Sequence, residues 1–381
     1  MRILLVGDYP PDPRLGSTKV LLKLREEFEG MGHHCDVLLA DGLGGPRNPY
    51  LRQTLEPVVA RNAVQRMFAS NGPYDVVDVA SAEGLWLAAA PRRGLNGAVV
   101  ISRSNGLEHL NYRRMLDDHA AGLIDKPWTR RLFHPAVRLT QVAAAARAAD
   151  RLVLLNELDR EFAVERGWKA PELIDVIAHG VTRRFLDDAP DENHPRGAGI
   201  LYCGSWTHVK GVAYLVGAFT SLARTRPGAR LTVLGGGVPD HQIRDAFPPD
   251  VRTRVSVIGR SSESEVMTAY RGHDVLAWPS TYEGFGMVLL EAMSQRLPVV
   301  ATPVGCGRAL VESERTGLSV PVRDSVALAL SLGRMLDDPA FARRCASAAY
   351  EKVRPYTWSR TAAMTLEVYG RALANRGNGH H

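Results

Sequence analysis

A glycine-rich turn flanked by two glutamates is the part of this sequence whose residue types most directly suggest chemistry. Residues 279–286 read Pro-Ser-Thr-Tyr-Glu-Gly-Phe-Gly and follow a strand-like run, Val275–Trp278. An apolar segment with helical spacing begins at Met287. We therefore predict a strand, a turn and a helix start in succession, with Glu283 in the turn and Glu291 inside the helix.

This arrangement suits an anion that is flanked by hydroxyl groups. The first N–H groups of a helix lack backbone partners, and the helix dipole favours negative charge there. Glu291 lies five residues beyond Gly286, which corresponds to about 7 Å along a helix axis. Carboxylates on both sides of a phosphate site could accept hydrogen bonds from hydroxyls at the two ends of a diphosphate, as in a nucleotide sugar. The alternative is an ordinary α/β turn in which Glu291 is a solvated helix residue.

The composition indicates a globular protein and excludes several other classes. The chain has 381 residues, enough for two domains, of which 45% are hydrophobic and 23% charged. No apolar run reaches the length of a membrane-spanning helix, and Ile3–Val6 is too short for the core of a signal peptide. The four cysteines have no metal-ligand spacing, so we expect reduced thiols in a cytoplasmic protein. The net charge of +6 fits anionic substrates or an anionic membrane surface, whereas no nucleic-acid motif is present.

Short apolar runs alternate with helical patterns along the whole chain, which predicts an α/β protein with parallel sheets covered on both faces. The predicted strands are 3–6, 36–39, 74–79, 98–101, 152–155 and 175–177 in the first half, and 200–203, 231–234, 255–258, 275–278, 299–301 and 318–320 in the second. The predicted helices are 18–31, 141–149, 212–224, 263–270, 287–295, 325–336 and 358–374.

The clearest linker is Asp187–Gly199, where prolines, glycines and charged residues leave little that could pack. The chain is thereby divided into two α/β halves. The predicted units are an N-terminal domain at 1–182, a C-terminal domain at 183–357, and a final helix with a loose tail at 358–381. Ligands of open α/β sheets bind beyond the carboxyl ends of the strands. We therefore expect a cleft between the Gly16-Ser17 loop of one domain and the Gly284–Gly286 loop of the other.

With these residues in view, the sequence resembles the retaining family 4 glycosyltransferases, which have the GT-B fold. Glu283 and Glu291, eight residues apart, match the paired-glutamate motif of that family. The match continues through Tyr202–Trp206, Lys210-Gly211, Ile177–Val181, Gly32-His33, Pro298–Thr302 and the helix after Thr357. The resemblance implies two Rossmann-like domains that face each other across a cleft. The first would bind the acceptor, the second would bind the nucleotide sugar, and the C-terminal helix would cross back to the first.

The resemblance also implies a role for each matching residue. Glu291 would bind the ribose hydroxyls, Glu283 would bind hydroxyls of the transferred sugar, and Lys210 would neutralise the diphosphate. The remaining donor-site residues that it implies are Gly16, Gly204, Ser205, Arg260, Gly284, Phe285 and Gly286. The co-substrate would be a nucleotide-diphosphate sugar such as a UDP- or GDP-sugar, with no cofactor. No metal is required, since a lysine and a helix dipole can stabilise the departing diphosphate.

Two positions depart from the family pattern. The family commonly has an arginine directly after the glycine that corresponds to Gly204, and here Ser205 removes one charge-assisted contact to the diphosphate. Arg260 and Arg308 are candidate replacements. The family usually has a histidine where this chain has Asn105, which can form hydrogen bonds but cannot titrate near neutral pH.

Three residues near Asn105 have two interpretations each. His109 either reaches the donor sugar or lies at the surface of a helix. Arg103 and Glu108 either contact the acceptor or form a structural ion pair. Asn105 itself would lie near the reacting centre, beside Glu283 and Lys210.

We therefore predict a retaining, metal-independent glycosyltransferase whose acceptor is a small metabolite, a glycan or a lipid carrier. The alternative is a donor-binding homologue with weak or no catalysis, because Asn105 and Ser205 replace the usual histidine and arginine. A third possibility is another GT-B enzyme, such as an inverting transferase, an epimerase or a phosphorylase. The mixed basic and apolar segment 126–133 could contact an anionic membrane, or could pack into the first domain.

Overall fold

The structure, a computed structural model, describes residues 1–89, 95–125 and 128–377, without the side chains of 128–130. The segment 126–133 considered for membrane contact therefore lies partly outside the described residues, as does the end of the tail 375–381. The chain divides into two compact units. The first is Met1–His179 together with the chain from Trp358 onward, and the second is Gly180–Thr357.

The first unit contains a six-stranded parallel sheet. Its strands are β1 (Arg2–Val6), β2 (His34–Leu38), β3 (Val76–Ala80), β4 (Val99–Arg103), β5 (Arg151–Leu154) and β6 (Ile174–Val176), in the order β2-β1-β3-β4-β5-β6. Residues 3–6 are completely buried, as expected for a central strand with helices on both faces.

The second unit repeats this architecture. Its strands are β7 (Ile200–Cys203), β8 (Leu231–Leu234), β9 (Val255–Ile258), β10 (Val275–Trp278), β11 (Val299–Ala301) and β12 (Leu318–Ser319). They form a parallel sheet in the order β12-β11-β10-β7-β8-β9. All twelve predicted strands are present, which confirms the α/β class.

Helices connect the strands in both units. Those of the first unit are α1 (Gly16–Gly30), α2 (Ala40–Leu43), α3 (Pro49–Asn71), α4 (Leu85–Ala88), α5 (Glu108–Ala120), α6 (Trp128–His134), α7 (Thr140–Ala148) and α8 (Glu157–Glu165). Those of the second are α9 (Arg183–Asp187), α10 (Val212–Thr225), α11 (Asp240–Asp245), α12 (Pro249–Arg252), α13 (Glu263–Gly272), α14 (Met287–Ser294), α15 (Gly307–Leu310), α16 (Ser325–Asp337) and α17 (Pro339–Val353). Within the described chain, no helix combines the length and the apolar character needed to cross a membrane.

The last helix, α18 (Trp358–Gly377), belongs to the first unit. Its Tyr369 ring lies 5.8 Å from the ring of Phe28 on α1. The Tyr369 hydroxyl donates a hydrogen bond to Asp78 in β3, and that carboxylate is also paired with Arg103 in β4. The helix is therefore attached to the sheet of the first unit by both apolar packing and a buried polar contact.

The predicted linker Asp187–Gly199 is more firmly held than its composition suggests. The guanidinium of Arg196 donates to five backbone carbonyl oxygens at distances of 2.7–3.1 Å. These carbonyls belong to Tyr270, Arg271, His273, Gln295 and Arg296, at or just beyond the ends of α13 and α14. As predicted, most of the segment packs little, since residues 191–195 are exposed. Arg196 nevertheless anchors it, because this one arginine satisfies carbonyl groups at the ends of two helices.

We expect Asp159→Asn to reduce the pH dependence of stability. Asp159 on α8 is only 1% exposed, and burial raises the pKa of its carboxyl from 3.8 to about 7. Between these values the folded state holds a proton that the unfolded state releases, so the free energy of unfolding falls as pH rises. Urea titrations at pH 4 and pH 8 should show a smaller difference for the variant than for the wild type. An equal difference in both proteins would contradict this prediction.

Candidate donor-binding site

The predicted turn lies between β10 and α14 and is built on glycines. Gly286 is the residue before the first turn of α14, has a φ of +101°, and no side chain caps that helix start in the described structure. A Cβ atom on Gly286 would lie 2.5 Å from Cζ2 of Trp278. The main chain therefore passes Trp278 at a distance that only glycine allows, and the N-cap residue itself has no side chain that could accept from the first N–H groups of α14.

A second loop supports this turn from the side of β11. The amide of Cys306 donates to the carbonyl oxygen of Phe285 at 2.6 Å, and the Thr302 hydroxyl donates to the carbonyl oxygen of Ser280 at 2.6 Å. At Gly305, a Cβ atom would lie 2.4 Å from that same Phe285 oxygen. Gly284 and Gly286 are thus carried by a turn that is fixed at several points.

The loop that carries Lys210 is hydrogen-bonded to the same turn. The amide of Thr281 donates to the carbonyl oxygen of Val209 at 2.8 Å. A Cβ atom on Gly211, whose φ is +74°, would lie 1.9 Å from the carbonyl oxygen of Pro279. Gly211 therefore allows the two loops to approach closely enough for Lys210 to reach Glu283.

Lys210 and Glu283 form an ion pair at the mouth of the turn. The Nζ of Lys210 lies 2.6 Å from Oε1 of Glu283, and the Ser280 hydroxyl donates to the same oxygen at 2.9 Å. The Lys210 side chain is 29% exposed and the Glu283 side chain is 10% exposed. The structure thus brings together a cation, a carboxylate and a helix start. In the sequence analysis, the cation and the helix start are predicted to bind a diphosphate, and the carboxylate is predicted to bind sugar hydroxyls.

Glu291 is buried rather than solvated. It is 9% exposed, and its Oε2 accepts a hydrogen bond from the Tyr270 hydroxyl at 3.3 Å. A carboxylate in such surroundings requires polar partners. The alternative in which Glu291 is an ordinary surface residue of a helix is therefore wrong.

The other predicted donor-site residues of the second unit lie at the carboxyl ends of β7 and β9. Gly204, with a φ of +140°, directly follows β7, and the carbonyl oxygen of the exposed Ser205 accepts from the Tyr202 hydroxyl at 2.8 Å. Arg260 is exposed, and its guanidinium lies 4.0 Å from the position of a Cβ atom on Gly237. Arg308, the other candidate for the missing arginine, is exposed on α15.

The predicted residues of the first unit lie on segments that follow two of its strands. Gly16 is the first residue of α1, and Asn105 follows β4. The Asn105 amide nitrogen donates to the Tyr9 hydroxyl at 3.0 Å. His109 does not replace the missing histidine, because its ring packs 4.7 Å from the ring of Trp168, and burial lowers its pKa to about 4.

Arg103 and Glu108 take part in separate ion pairs, which supports their structural interpretation. Arg103 pairs with Asp78, and Glu108 accepts from Arg138 at 2.9 Å.

Arg138 also contacts the carboxylates of Glu56 and Glu83, in a cluster that was not predicted from the sequence. Burial raises the pKa of Glu83, and it raises the pKa of Glu56 to about 9. Burial alone would also raise the pKa of Glu108, but the Arg138 guanidinium lowers it.

No sequence signal could have identified this cluster, because its members are separated by 25 to 82 positions along the chain. It lies close to the end of β1, since Glu83 accepts a hydrogen bond from the Asp8 amide at 3.3 Å. Among the described residues, no group of three or more histidine, cysteine, aspartate or glutamate side chains is arranged to hold a metal ion.

We expect Gly286→Ala to lower the free energy of unfolding by about 2–3 kcal/mol, the combined cost of the positive φ and of overpacking, and to weaken donor binding. A side chain with this positive φ costs roughly 1–2 kcal/mol, and its Cβ atom would collide with Trp278. Relief of the collision would displace the start of α14. Urea unfolding and calorimetry with UDP would measure the two effects. Gly228→Ala is the matched control, since a Cβ atom there meets nothing within 4 Å, and identical results for both variants would contradict the prediction.

Comparison with known sequences finds similarity to glycosyltransferases over part of the chain. Residues 197–338 match the model described as Glycosyl transferases group 1. Glycogen synthase of Mycobacterium tuberculosis is 33% identical over 207 residues, which are 54% of this chain and 49% of that protein. D-inositol 3-phosphate glycosyltransferase of Kineococcus radiotolerans is 31% identical over 268 residues, with coverage of 64% of this chain and 62% of that protein. The chain thus spans between about half and three fifths of the length of these relatives.

Solved structures agree in fold over nearly the whole chain. Sucrose-phosphate synthase from Thermosynechococcus elongatus has a TM-score of 0.79 and 21% identity, with 98% of this chain and 99% of that chain covered. Anabaena HepE in complex with UDP and glucose has a TM-score of 0.70 and 17% identity, with 97% and 100% covered. The predicted GT-B fold with two Rossmann-like domains is confirmed. The similarity to the group 1 glycosyl transferases lies in residues 197–338 for the family model, and it extends over 207 and 268 residues for the two relatives.

Proposed function

We propose that the protein is a retaining, metal-independent glycosyltransferase that moves a sugar from a nucleotide-diphosphate sugar to an acceptor hydroxyl. One observation supports this most strongly: the ion pair of Lys210 and Glu283 lies beside the uncapped start of α14, the helix that carries the buried Glu291. In this proposal the diphosphate binds at the helix start, Glu291 binds the ribose, and Glu283 binds the transferred sugar.

The charges of the site suit the breaking of the anomeric C–O bond. Negative charge develops on the departing diphosphate, and donors that are already in place stabilise such charge without reorganisation. Lys210 is held next to that position by Glu283. An incoming diphosphate would compete for the lysine, and Glu283 would then accept hydrogen bonds from sugar hydroxyls.

Retention of the anomeric configuration is proposed to follow from attack by the acceptor on the same face from which the diphosphate leaves. The acceptor proton would pass to the leaving phosphate oxygen, so no enzyme nucleophile is assigned. Asn105, which already donates to Tyr9, would provide a hydrogen bond without taking up a proton.

The donor and acceptor classes are suggested by the names of similar proteins. HepE was solved with UDP and glucose, and we propose a UDP- or GDP-sugar as the donor here. The relatives are named for glycogen and for D-inositol 3-phosphate, so we propose a glycan or a small polyol metabolite as the acceptor. The four cysteines, all within the described chain, form no disulfide bond, which fits a cytoplasmic location.

Calorimetry with a panel of UDP- and GDP-sugars, in buffer that contains EDTA, tests the donor and the metal independence together. We expect one donor to bind with EDTA present. NMR of the product should then show the anomeric configuration of the donor. Binding of none of the sugars would contradict the proposal, and a product of inverted configuration would contradict retention.

A second candidate function is donor binding without catalysis, which Asn105 favours because no titratable group stands at that position. Donor hydrolysis and transfer would be measured for the wild type and for Asn105→His. Transfer that appears only in the variant would support the binding homologue. Transfer by the wild type would support the enzyme.

A further inference from the structure

Tyr270 joins Glu291 to the rest of the second unit. It lies in the last turn of α13 and is completely buried. Its hydroxyl is 3.3 Å from Oε2 of Glu291 and 3.6 Å from Sγ of Cys203, the last residue of β7. Its ring packs 6.3 Å from the ring of Phe185. One side chain thus contacts both the helix and the strand end that border the candidate donor site.

The direction of these hydrogen bonds follows from the groups involved. Burial raises the pKa of the Tyr270 phenol well above its usual value, so the hydroxyl keeps its proton. A phenol has one hydrogen to donate, and a carboxylate is a stronger acceptor than a thiol. The hydroxyl therefore donates to Glu291, and the Cys203 thiol can donate to the phenol oxygen.

The main chain of Tyr270 is held as firmly as its side chain. Its carbonyl oxygen accepts from Arg196 at 2.7 Å. The same guanidinium donates to the carbonyl oxygens of Gln295 and Arg296 at 3.1 and 2.9 Å, directly after α14. The two helices that carry Tyr270 and Glu291 are therefore joined to one cation at their carboxyl ends, which limits movement of one helix along the other.

We propose that Tyr270 is a positioning residue for Glu291, and that it orients the carboxylate for the ribose hydroxyls before the donor binds. This inference rests on the proposed function, in which Glu291 binds the ribose. A glutamate side chain has several rotatable bonds, and a donated hydrogen bond to one oxygen restricts them. A carboxylate that is oriented in advance binds its ligand without an ordering penalty.

The test is donor binding by Tyr270→Phe, which removes the hydroxyl and keeps the ring. We expect the donor Kd to rise about five- to tenfold, as for loss of one hydrogen bond of ordinary strength. The KM for the donor should rise by the same factor with kcat unchanged, because the ribose contact is the same in the ground and transition states. A Kd within twofold of the wild type would overturn the inference.

Three comparisons separate positioning from packing. Tyr350→Phe is the matched control, since its hydroxyl contacts the Leu186 carbonyl oxygen at 3.3 Å, and it should leave the Kd unchanged. In a Glu291→Ala background, Tyr270→Phe should have no further effect on the Kd. 4-Aminophenylalanine at position 270 restores an N–H donor and should restore affinity.

The remaining outcomes are also decisive. An equal effect of Tyr270→Phe with and without Glu291 would show a packing role and overturn the inference. Should the phenylalanine variant not fold, 4-fluorophenylalanine, which is closer in size to tyrosine, replaces it in the same comparisons. Failure of the wild type to bind any nucleotide sugar would instead contradict the proposed function.

Discussion

Replacement of Lys210 by glutamine is expected to lower kcat/KM for sugar transfer by about 10²–10³-fold, the usual effect of removing one charge-stabilising donor from an active site. Lys210 is the only lysine or arginine paired with a carboxylate of the 279–286 turn among the ion pairs of the described residues. Without it, the proposed site would lose the cation that lies beside the start of α14 and that would stabilise the negative charge on the departing diphosphate. Because that charge grows in the transition state, kcat should fall more than donor affinity.

Lys352→Gln is the matched control for this variant. Lys352 also pairs with a glutamate of the second unit, Glu312, but it lies on α17 and has no proposed contact with the donor. We expect its initial rates to equal those of the wild type. Steady-state kinetics over a range of donor concentrations separates kcat from KM. A Lys210→Gln enzyme that retains more than a tenth of the wild-type kcat would contradict the assignment of the lysine to the leaving group.

The strands could be predicted from the sequence because each is a short apolar run bounded by turn residues. Val275–Trp278 is an example: all four residues are buried, Asp274 precedes the strand and Pro279 follows it. The position of Lys210 near Glu283 could be predicted in outline for a related reason. Both follow adjacent parallel strands, β7 and β10, and the carboxyl ends of parallel strands meet at one edge of a sheet.

Other features depend on contacts between residues that are distant in the sequence. The helix α3 was missed because Pro57 interrupts its pattern and its first half exposes Leu51 and Leu55, so no single apolar face is visible. The ion pair between Lys210 and Glu283 was likewise not predicted, although both residues were assigned to the site. The sequence predicted that both residues belong to the donor site, but it did not predict that they form an ion pair with each other.

Arg196 shows the same limit in a segment without secondary structure. Composition alone describes 187–199 as a linker, and nothing in the sequence indicates that one arginine binds five carbonyl groups of two helices. Those carbonyls become neighbours only after α13 and α14 have packed side by side. These carbonyl groups lie close together only in the folded protein, so a local sequence pattern cannot predict that Arg196 binds them.

The largest change in stability is expected from Asp78→Ala. Asp78 and Arg103 form an ion pair whose side chains are each 1% exposed, and Nη2 of the arginine lies 2.6 Å from Oδ2 of the aspartate. The Tyr369 hydroxyl of α18 donates to the same oxygen. Removal of the carboxylate would leave a buried guanidinium and a buried phenol without their acceptor, which typically costs about 3–5 kcal/mol.

Thermal and urea unfolding of Asp78→Ala should therefore show a large decrease in the free energy of unfolding of the first unit. Tyr369→Phe removes only one of the two donors and should show a smaller decrease. Asp250→Ala is the control, since Asp250 pairs with Arg224 and both side chains are more than half exposed. Water already solvates that pair, so its removal should not measurably change the free energy of unfolding.

Nucleotide binding, measured below the unfolding transition, should survive in Asp78→Ala because the proposed donor residues Lys210, Glu283 and Glu291 lie in the second unit. A variant as stable as the wild type would show that Arg103 finds another acceptor, and that the attachment of α18 rests on apolar packing such as that of Phe28 against Tyr369.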